Sequence, residues 1–146
     1  MDWQFKSFSA LTTCELYAVL QLRSAVFVVE QTCIFQDMDG EDESAFHLTA
    51  TVDQQLVAYA RCFPAVVKYP EASIGRVITH SSQRGNGVGH ALMQRAIDSV
   101  VAQWGRQPIR IGAQSRLAAF YQQHGFLQSG EPYIEDGIPH IEMLRA

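Results

Sequence analysis

A glycine-rich turn near the middle of the chain constrains its fold more than any other segment. Residues 84–89 read Arg-Gly-Asn-Gly-Val-Gly and follow a β-rich run at 73–79. Six apolar residues then recur at the spacing of one helix face: Met93, Ala96, Ile97, Val100, Val101 and Trp104. A strand, a glycine turn and a helix in this order bring free N–H groups to the positive end of the helix dipole. The segment therefore predicts a phosphate-binding turn in an α/β fold.

The spacing of the glycines decides which phosphate ligand fits this turn. A P-loop requires GxxxxGK[ST], but His90 stands where its second glycine would follow Gly85, and Gly87 begins no such pattern either. The dinucleotide fingerprint GxGxxG fails as well, because His90 replaces its last glycine. The turn therefore excludes both kinds of nucleotide site and leaves the pattern Arg84-x-x-Gly87-x-Gly89.

The rest of the chain alternates between strand and helix patterns. Thr12 and Glu15 form a capping box that begins a first helix, and Ser115 is placed to cap a later one that carries Tyr121. Strand patterns cover residues 3–5, 47–52, 56–63, 73–79, 109–113, 126–128 and 138–144. The order β-α-β-β-β-α-β-α-β-β indicates a mixed α/β sheet with helices on both faces.

The bulk composition disfavours several classes of protein. A net charge of −4 and a pI of about 5.7 argue against nucleic-acid binding. The three cysteines, Cys14, Cys33 and Cys62, form no CxxC pair, which argues against a disulfide scaffold or a zinc site. The N-terminus has no signal-peptide pattern, and no apolar stretch is long enough to span a bilayer. We therefore expect one domain over residues 1–146, cytoplasmic, with no metal, membrane segment or nucleic-acid partner.

The glycine pattern also resembles a known family. Arg84-x-x-Gly87-x-Gly89, between a strand and an amphipathic helix, resembles motif A of the GNAT superfamily of N-acetyltransferases, and residues 109–124 resemble its motif B. Further segments resemble the ElaA-type subfamily: 22–23, 26–31, 36–40, 59–61, 74–77 and 135–141. The resemblance spans nearly the whole chain. It implies a GNAT-like, mixed and mostly antiparallel central sheet of about six or seven strands with helices on both faces.

The resemblance implies a binding site for acetyl-CoA, used as a co-substrate. The backbone N–H groups that would hold its pyrophosphate belong to Arg84, Gly85, Asn86, Gly87, Val88 and Gly89. Its pantetheine arm would lie along the backbone of Val77, Ile78 and Thr79, like an added strand. The strand of motif B is expected to diverge from this one, so that the thioester sits in the gap beside Gln114.

The resemblance also implies the chemistry of acetyl transfer from a thioester to an amine. Tyr121 matches the tyrosine that protonates the leaving thiolate, and this role is preferred, although the position also fits a core aromatic beside Leu117. Candidate bases for the amine are Glu30, His47 and His140. Glu30 closes an apolar run, which allows a partly buried carboxylate with a shifted pKa, but a solvated glutamate at a helix end is the preferred interpretation.

Two acidic groups border the acceptor side in the family's architecture. Asp37, Asp39, Glu41 and Asp42 form one, and Glu135 with Asp136 forms the other. An acidic rim would attract a cationic amine, whereas solvated loop charges would have no such role. The leading hypothesis is an N-acetyltransferase for a primary amine of a small molecule or protein. The alternative is a non-catalytic acyl-CoA-binding sensor or partner module, and exposed strand edges allow a homodimer.

Overall fold

Eight strands form one sheet in the computed structural model, which describes all 146 residues. The strands are β1 Asp2–Ser7, β2 Phe46–Val52, β3 Gln55–Phe63, β4 Ala72–Thr79, β5 Ile109–Gln114, β6 Leu127–Gln128, β7 Tyr133–Glu135 and β8 Ile138–Arg145. Their spatial order is β1-β2-β3-β4-β5-β8-β6, and β7 also pairs with β8. Every pair is antiparallel except β4 with β5. The predicted mixed, mostly antiparallel sheet is confirmed.

One strand has no counterpart in the strand patterns of the sequence. β7 has only three residues and pairs with the start of β8 across a two-residue turn. Both turn residues are left-handed, with φ of +51° at Asp136 and +77° at Gly137. An Asp-Gly pair suits such a hairpin turn, but the strand before it is too short to produce a periodic signal.

The helices are α1 Thr13–Arg23, α2 Val88–Trp104 and α3 Ala118–Gln122, and a π-helical segment, Ser24–Glu30, continues α1. The predicted capping box begins α1, because the Thr12 side chain accepts from the Glu15 N–H at 3.1 Å and the Thr12 N–H donates to the Glu15 carboxylate at 2.8 Å. The predicted Ser115 cap is wrong. A short 3₁₀ turn precedes α3, and the Ser115 hydroxyl is buried without a partner.

Apolar side chains fill both sides of the sheet. The larger core lies under α2 and α3, where Met93, Ala96, Ile97 and Val100 of the predicted face are buried. A smaller core lies under α1 and the π-helical segment, between Val19, Leu22, Val26, Tyr59 and Ile78. The helices therefore cover both faces, as predicted. No helix combines the length and the apolar character of a membrane-crossing segment.

Residues 31–45, which we call the acidic loop, are held against the sheet by buried arginines. Arg23 is 0% exposed and Arg61 is 1% exposed. Arg23 donates to Asp37 at 2.8 Å and to Asp42 at 2.7 Å. Arg61 donates to Asp39 and Asp42, each at 2.9 Å. The predicted acidic rim is therefore wrong for Asp37 and Asp42, because their charges neutralise arginines inside the protein. Asp39 is 23% exposed, but its charge is also paired with Arg61.

Asp42 bridges the two arginines, so its loss tests the network. Burial raises the pKa of Asp42, but hydrogen bonds from Arg23 and then Arg61 outweigh it and leave that pKa below its ordinary value. Asp42→Asn keeps the shape and leaves two buried guanidinium groups short of a counter-charge. We expect the free energy of unfolding, measured in urea at pH 7, to fall by about 3 kcal/mol.

Glu43→Gln is the matched control for this prediction. Glu43 is the next residue, exposed and without an ion pair, so its substitution should change the free energy of unfolding by less than about 0.5 kcal/mol. Equal effects of the two substitutions would mean that the buried pairs contribute nothing to stability.

Candidate active site

A cavity opens where β4 and β5 separate. The two parallel strands pair only through Ala72 with Ile109 and Ser73 with Arg110. Beyond these residues they diverge, and a cavity of about 660 Å³ occupies the gap, within the range of small-molecule sites. The predicted divergence is confirmed. From Ile74 onward, the edge of β4 that faces β5 has no strand partner.

The glycine turn adopts a conformation that requires glycine. Gly85 has φ of +85° and Gly87 has φ of +76°, and Gly87 is the N-cap of α2. A Cβ atom at either position would meet no atom within 4 Å. Glycine is therefore required there by the left-handed backbone conformation and not by a neighbouring atom that leaves no room for a side chain. The first N–H groups of a 17-residue helix therefore emerge beside the cavity, which reaches the turn at Arg84.

The other residues expected to contact the coenzyme lie around the same cavity. Val77, Ile78 and Thr79 line the wall that β4 forms, and Gln114 lines the opposite wall at the end of β5. The Gln114 amide donates to the Gln31 side chain at 3.3 Å, which joins β5 to the acidic loop. The structure thus brings together residues that are more than thirty positions apart in the sequence.

Tyr121 lines the cavity from α3 and is 7% exposed. Its ring packs edge-on against Phe120 and Phe126. Burial raises the pKa of Tyr121 to about 12, so the hydroxyl stays protonated at neutral pH. That hydroxyl has no hydrogen-bond partner within the chain, although it borders the cavity. Tyr121 is therefore both a core aromatic and a proton donor available to a bound molecule.

The candidate bases differ in their surroundings. Glu30 lines the cavity but is exposed, and its carboxylate pairs with Arg84 at 2.9 Å, so the solvated interpretation is confirmed and the partly buried carboxylate is wrong. His140 lines the cavity and is 8% exposed. Its Nδ1 lies 2.7 Å from the Ile138 carbonyl. Because a carbonyl only accepts, a neutral His140 carries its proton on Nδ1 and keeps a free lone pair on Nε2.

His47 is wrong as a candidate base. It is 0% exposed and lies outside the cavity, with Nδ1 2.6 Å from the Tyr59 hydroxyl and Nε2 3.0 Å from the Asp42 carbonyl. Burial lowers the pKa of His47 below its ordinary value. Both ring nitrogens are occupied within the protein, so His47 stabilises the acidic loop.

Two residues of the cavity wall were not predicted individually as site residues. Arg76 lies in β4 with φ of +49°, and Cys33 donates from its thiol to the Asp136 carbonyl at 3.2 Å. The Cys33 contact ties the acidic loop to the turn between β7 and β8. No local pattern signals either feature, because the partners are distant in sequence.

Because Tyr121 is buried, we expect the free energy of unfolding to fall as the pH rises above 10. Its folded pKa, about 12, lies above the ordinary value of 10.0. Above pH 10 the unfolded chain loses this proton first, so stability that is full below that pH is lost as the pH rises towards about 12. We expect urea unfolding between pH 9.5 and 11.5 to show this loss, smaller by about 2 kcal/mol in Tyr121→Phe than in the wild type.

Tyr17→Phe is the control, because Tyr17 is 71% exposed. Its pH profile of stability should match that of the wild type. A Tyr121→Phe profile that also matched the wild type would contradict the burial of the Tyr121 hydroxyl.

Known proteins match this arrangement along the whole chain. The family model of the acetyltransferase (GNAT) domain matches residues 16–145. Protein ElaA of Escherichia coli (strain K12) is 44% identical over 99% of this chain and 96% of its own length. The crystal structure of an acyl-CoA N-acyltransferase from Pseudomonas aeruginosa superimposes with a TM-score of 0.95 at 46% identity over 99% of both chains. The crystal structure of Escherichia coli ElaA gives a TM-score of 0.93 at 43% identity, also over 99% of both. The chain therefore belongs to the GNAT acetyltransferase family and is an N-acetyltransferase that uses acetyl-CoA.

Proposed function

We propose that this N-acetyltransferase moves the acetyl group directly to a primary amine of a small molecule or protein, with Tyr121 as the general acid. One observation carries the proposal. Tyr121 is a buried tyrosine of the cavity wall between two diverging strands, and its hydroxyl makes no hydrogen bond within the chain. A proton donor in that position can serve a leaving thiolate at the gap.

The pyrophosphate and the pantetheine arm of acetyl-CoA each have a suitable surface in or beside the cavity. The N–H groups of Arg84 through Gly89 would hold the pyrophosphate, since a left-handed glycine turn leads into the N-terminus of α2. The amide groups of the pantetheine arm would pair with β4 at Val77, Ile78 and Thr79, where β5 no longer does. Gln114 would contact the arm from the opposite wall.

The transfer proceeds by direct attack. The lone pair of the neutral amine attacks the thioester carbonyl carbon, a C–N bond forms, and negative charge develops on the carbonyl oxygen. A backbone N–H near Ile78 stabilises that oxygen. The C–S bond then breaks, the sulfur takes its proton from the Tyr121 hydroxyl, and the proton lost by the amine returns through the base to Tyr121. Acetylated amine and free thiol result, so the atoms and charges balance.

His140 is better placed than Glu30 to accept the proton of the amine. The carboxylate of Glu30 is paired with Arg84 beside the coenzyme turn. The Nε2 atom of His140 has no hydrogen-bond partner, and the nearest carboxylate oxygen, that of Glu135, lies 3.6 Å away. With Nδ1–H held by a carbonyl, the imidazole presents the lone pair of Nε2 to a proton of the amine.

Two unpaired carboxylates of the cavity wall indicate the class of amine. Glu41 pairs with Lys68 at 3.1 Å, as Glu30 does with Arg84. Glu135 and Asp136 make no ion pair with a lysine or an arginine, and both line the cavity beside His140. The side chain of Glu135 is 61% exposed. We infer an acceptor that carries a second positive charge, which these two carboxylates would attract.

Tyr121→Phe tests the role of the general acid. We expect the rate of acetyl transfer to fall by about a hundredfold or more, because proton donation to the leaving group is lost. Calorimetric binding of acetyl-CoA should stay within about twofold of the wild type, since the ring is retained. Tyr17→Phe should leave both quantities unchanged.

The binding experiment includes ATP and NADH as competing ligands, and neither should bind. Unchanged transfer in Tyr121→Phe would exclude the acid role. Acetyl-CoA binding without transfer to any amine in the wild type would instead favour the non-catalytic sensor.

The acceptor is tested with two amines of equal length, 1,4-diaminobutane and butylamine. In the double variant Glu135→Gln, Asp136→Asn, we expect kcat/KM to fall by about tenfold for the diamine and by less than about threefold for the monoamine. Asparagine tolerates the left-handed turn at position 136, so the hairpin is retained. Glu131→Gln, exposed and outside the cavity, is the control. Equal losses for the two amines would contradict a second positive charge on the acceptor.

A further inference from the structure

β4 contains a bulge at the edge of the cavity. In its ladder with β3, Ile78 faces Tyr59 and Gly75 faces Arg61, so that two residues of β4 stand opposite one residue of β3. The extra residue is Arg76, whose φ of +49° lies in the left-handed region. That region disfavours a residue with a long side chain, and glycine, asparagine or aspartate would adopt it more readily.

The side chain of Arg76 explains why an arginine occupies this strained position. Its Nε donates to Asp37 Oδ1 at 2.9 Å and its Nη2 donates to the Asp37 carbonyl at 3.2 Å. Its guanidinium also lies against two rings, 5.9 Å from the centroid of Phe27 and 5.8 Å from that of Phe35. Strain of this kind persists only where surrounding contacts fix the residue.

Asp37 is itself immobilised from the other side. The fully buried Arg23, at the end of α1, donates to Asp37 Oδ2 at 2.8 Å and to the Asp37 carbonyl at 3.0 Å. Arg23 is shared between Asp37 and Asp42, so the carboxylates Asp37, Asp39 and Asp42 face only two fully buried arginines. Arg76 is the third cation. It pairs with Asp37 and, at 3.4 Å, with Asp39, and these contacts fasten the bulge to the acidic loop.

The Arg76–Asp37 pair joins two walls of the cavity. Arg76, Val77 and Ile78 line the β4 wall, along which the proposed function places the pantetheine arm. Phe35 and Gln36 line the wall formed by the acidic loop, which the resemblance places on the acceptor side. The pair therefore connects the loop at Asp37 with the backbone of β4 one residue before Val77.

We propose that Arg76 is a positioning residue that couples the acidic loop to the bulge of β4 and so sets the place of the thioester relative to the acceptor. This inference rests on the proposed function. Arg76 touches neither reacting group in this assignment, and it acts through the backbone conformation of β4. It is a determinant of the rate of transfer and only weakly of coenzyme affinity.

Arg76→Gly and Arg76→Lys test the coupling by steady-state kinetics. Glycine adopts φ of +49° without strain, so this variant removes the side-chain contact and keeps the bulge accessible. We expect kcat to fall by about tenfold, with the KM for acetyl-CoA changed by less than about threefold. Lysine keeps the charge with one donor group and should recover part of the lost kcat. Arg106→Gly, an exposed position outside the cavity, should match the wild type.

Hydrogen exchange provides a readout that does not require transfer. In Arg76→Gly, we expect faster exchange in residues 74–79 and 31–39 together, and unchanged exchange in the β1–β2 pair, at a temperature where all variants are folded. Unaltered kcat with unaltered exchange in either segment would overturn the inference while leaving the acetyltransferase intact. If the wild type transferred no acetyl group, the proposed function would fail, and the paired change in exchange would still decide whether the coupling exists.

Discussion

The separation of β4 from β5 is the constraint on which the rest of the site depends. Two parallel strands in the middle of a sheet normally hydrogen-bond along their whole length, because unpaired backbone groups are costly away from water. Here only two residue pairs connect them. The resulting gap gives the sheet an internal edge at Val77–Thr79 and places the N-terminus of α2 beside it. A ligand with amide groups and phosphates satisfies both surfaces at once, which a flat sheet could not offer.

Buried ion pairs hold the acidic loop, which forms another wall of the cavity. Arg23 and Arg61 are inaccessible to solvent and have carboxylate partners from the acidic loop. Burial of these charges is tolerable because nearly every donor finds a partner, the Nε of Arg61 being the exception. Three carboxylates of the cavity wall are also paired, Asp39 with Arg61, Glu41 with Lys68 and Glu30 with Arg84. The unpaired negative charge that could select an acceptor belongs to Glu135 and Asp136, at the turn between β7 and β8 near His140.

The sequence predicted those parts of the protein that depend on local spacing. The glycine turn, the buried face of α2 and the capping box of α1 each follow from residues within one or two helical turns of each other. Tyr121 was found through its resemblance to motif B, together with Gln114. The Arg–Asp pairs could not be predicted, since Arg61 and Asp39 are far apart in sequence and acidic residues in a loop are usually solvated. His47 was a misleading candidate for the same reason: its burial depends on Tyr59 and Asp42, which only the fold brings to it.

Tyr121 shows why a core position and a catalytic position need not be alternatives. The aromatic contacts with Phe120 and Phe126 fix the ring and exclude water from it. The resulting rise in its pKa to about 12 makes the phenol a weaker acid in the absence of a ligand, yet it also keeps the proton in place until a strong base appears. In the proposed mechanism, the leaving thiolate would be such a base, because burial in the same low-dielectric gap raises the proton affinity of the sulfur as well. Proton transfer would then be favoured only as the C–S bond breaks, which would tie the acidity of Tyr121 to the progress of the reaction.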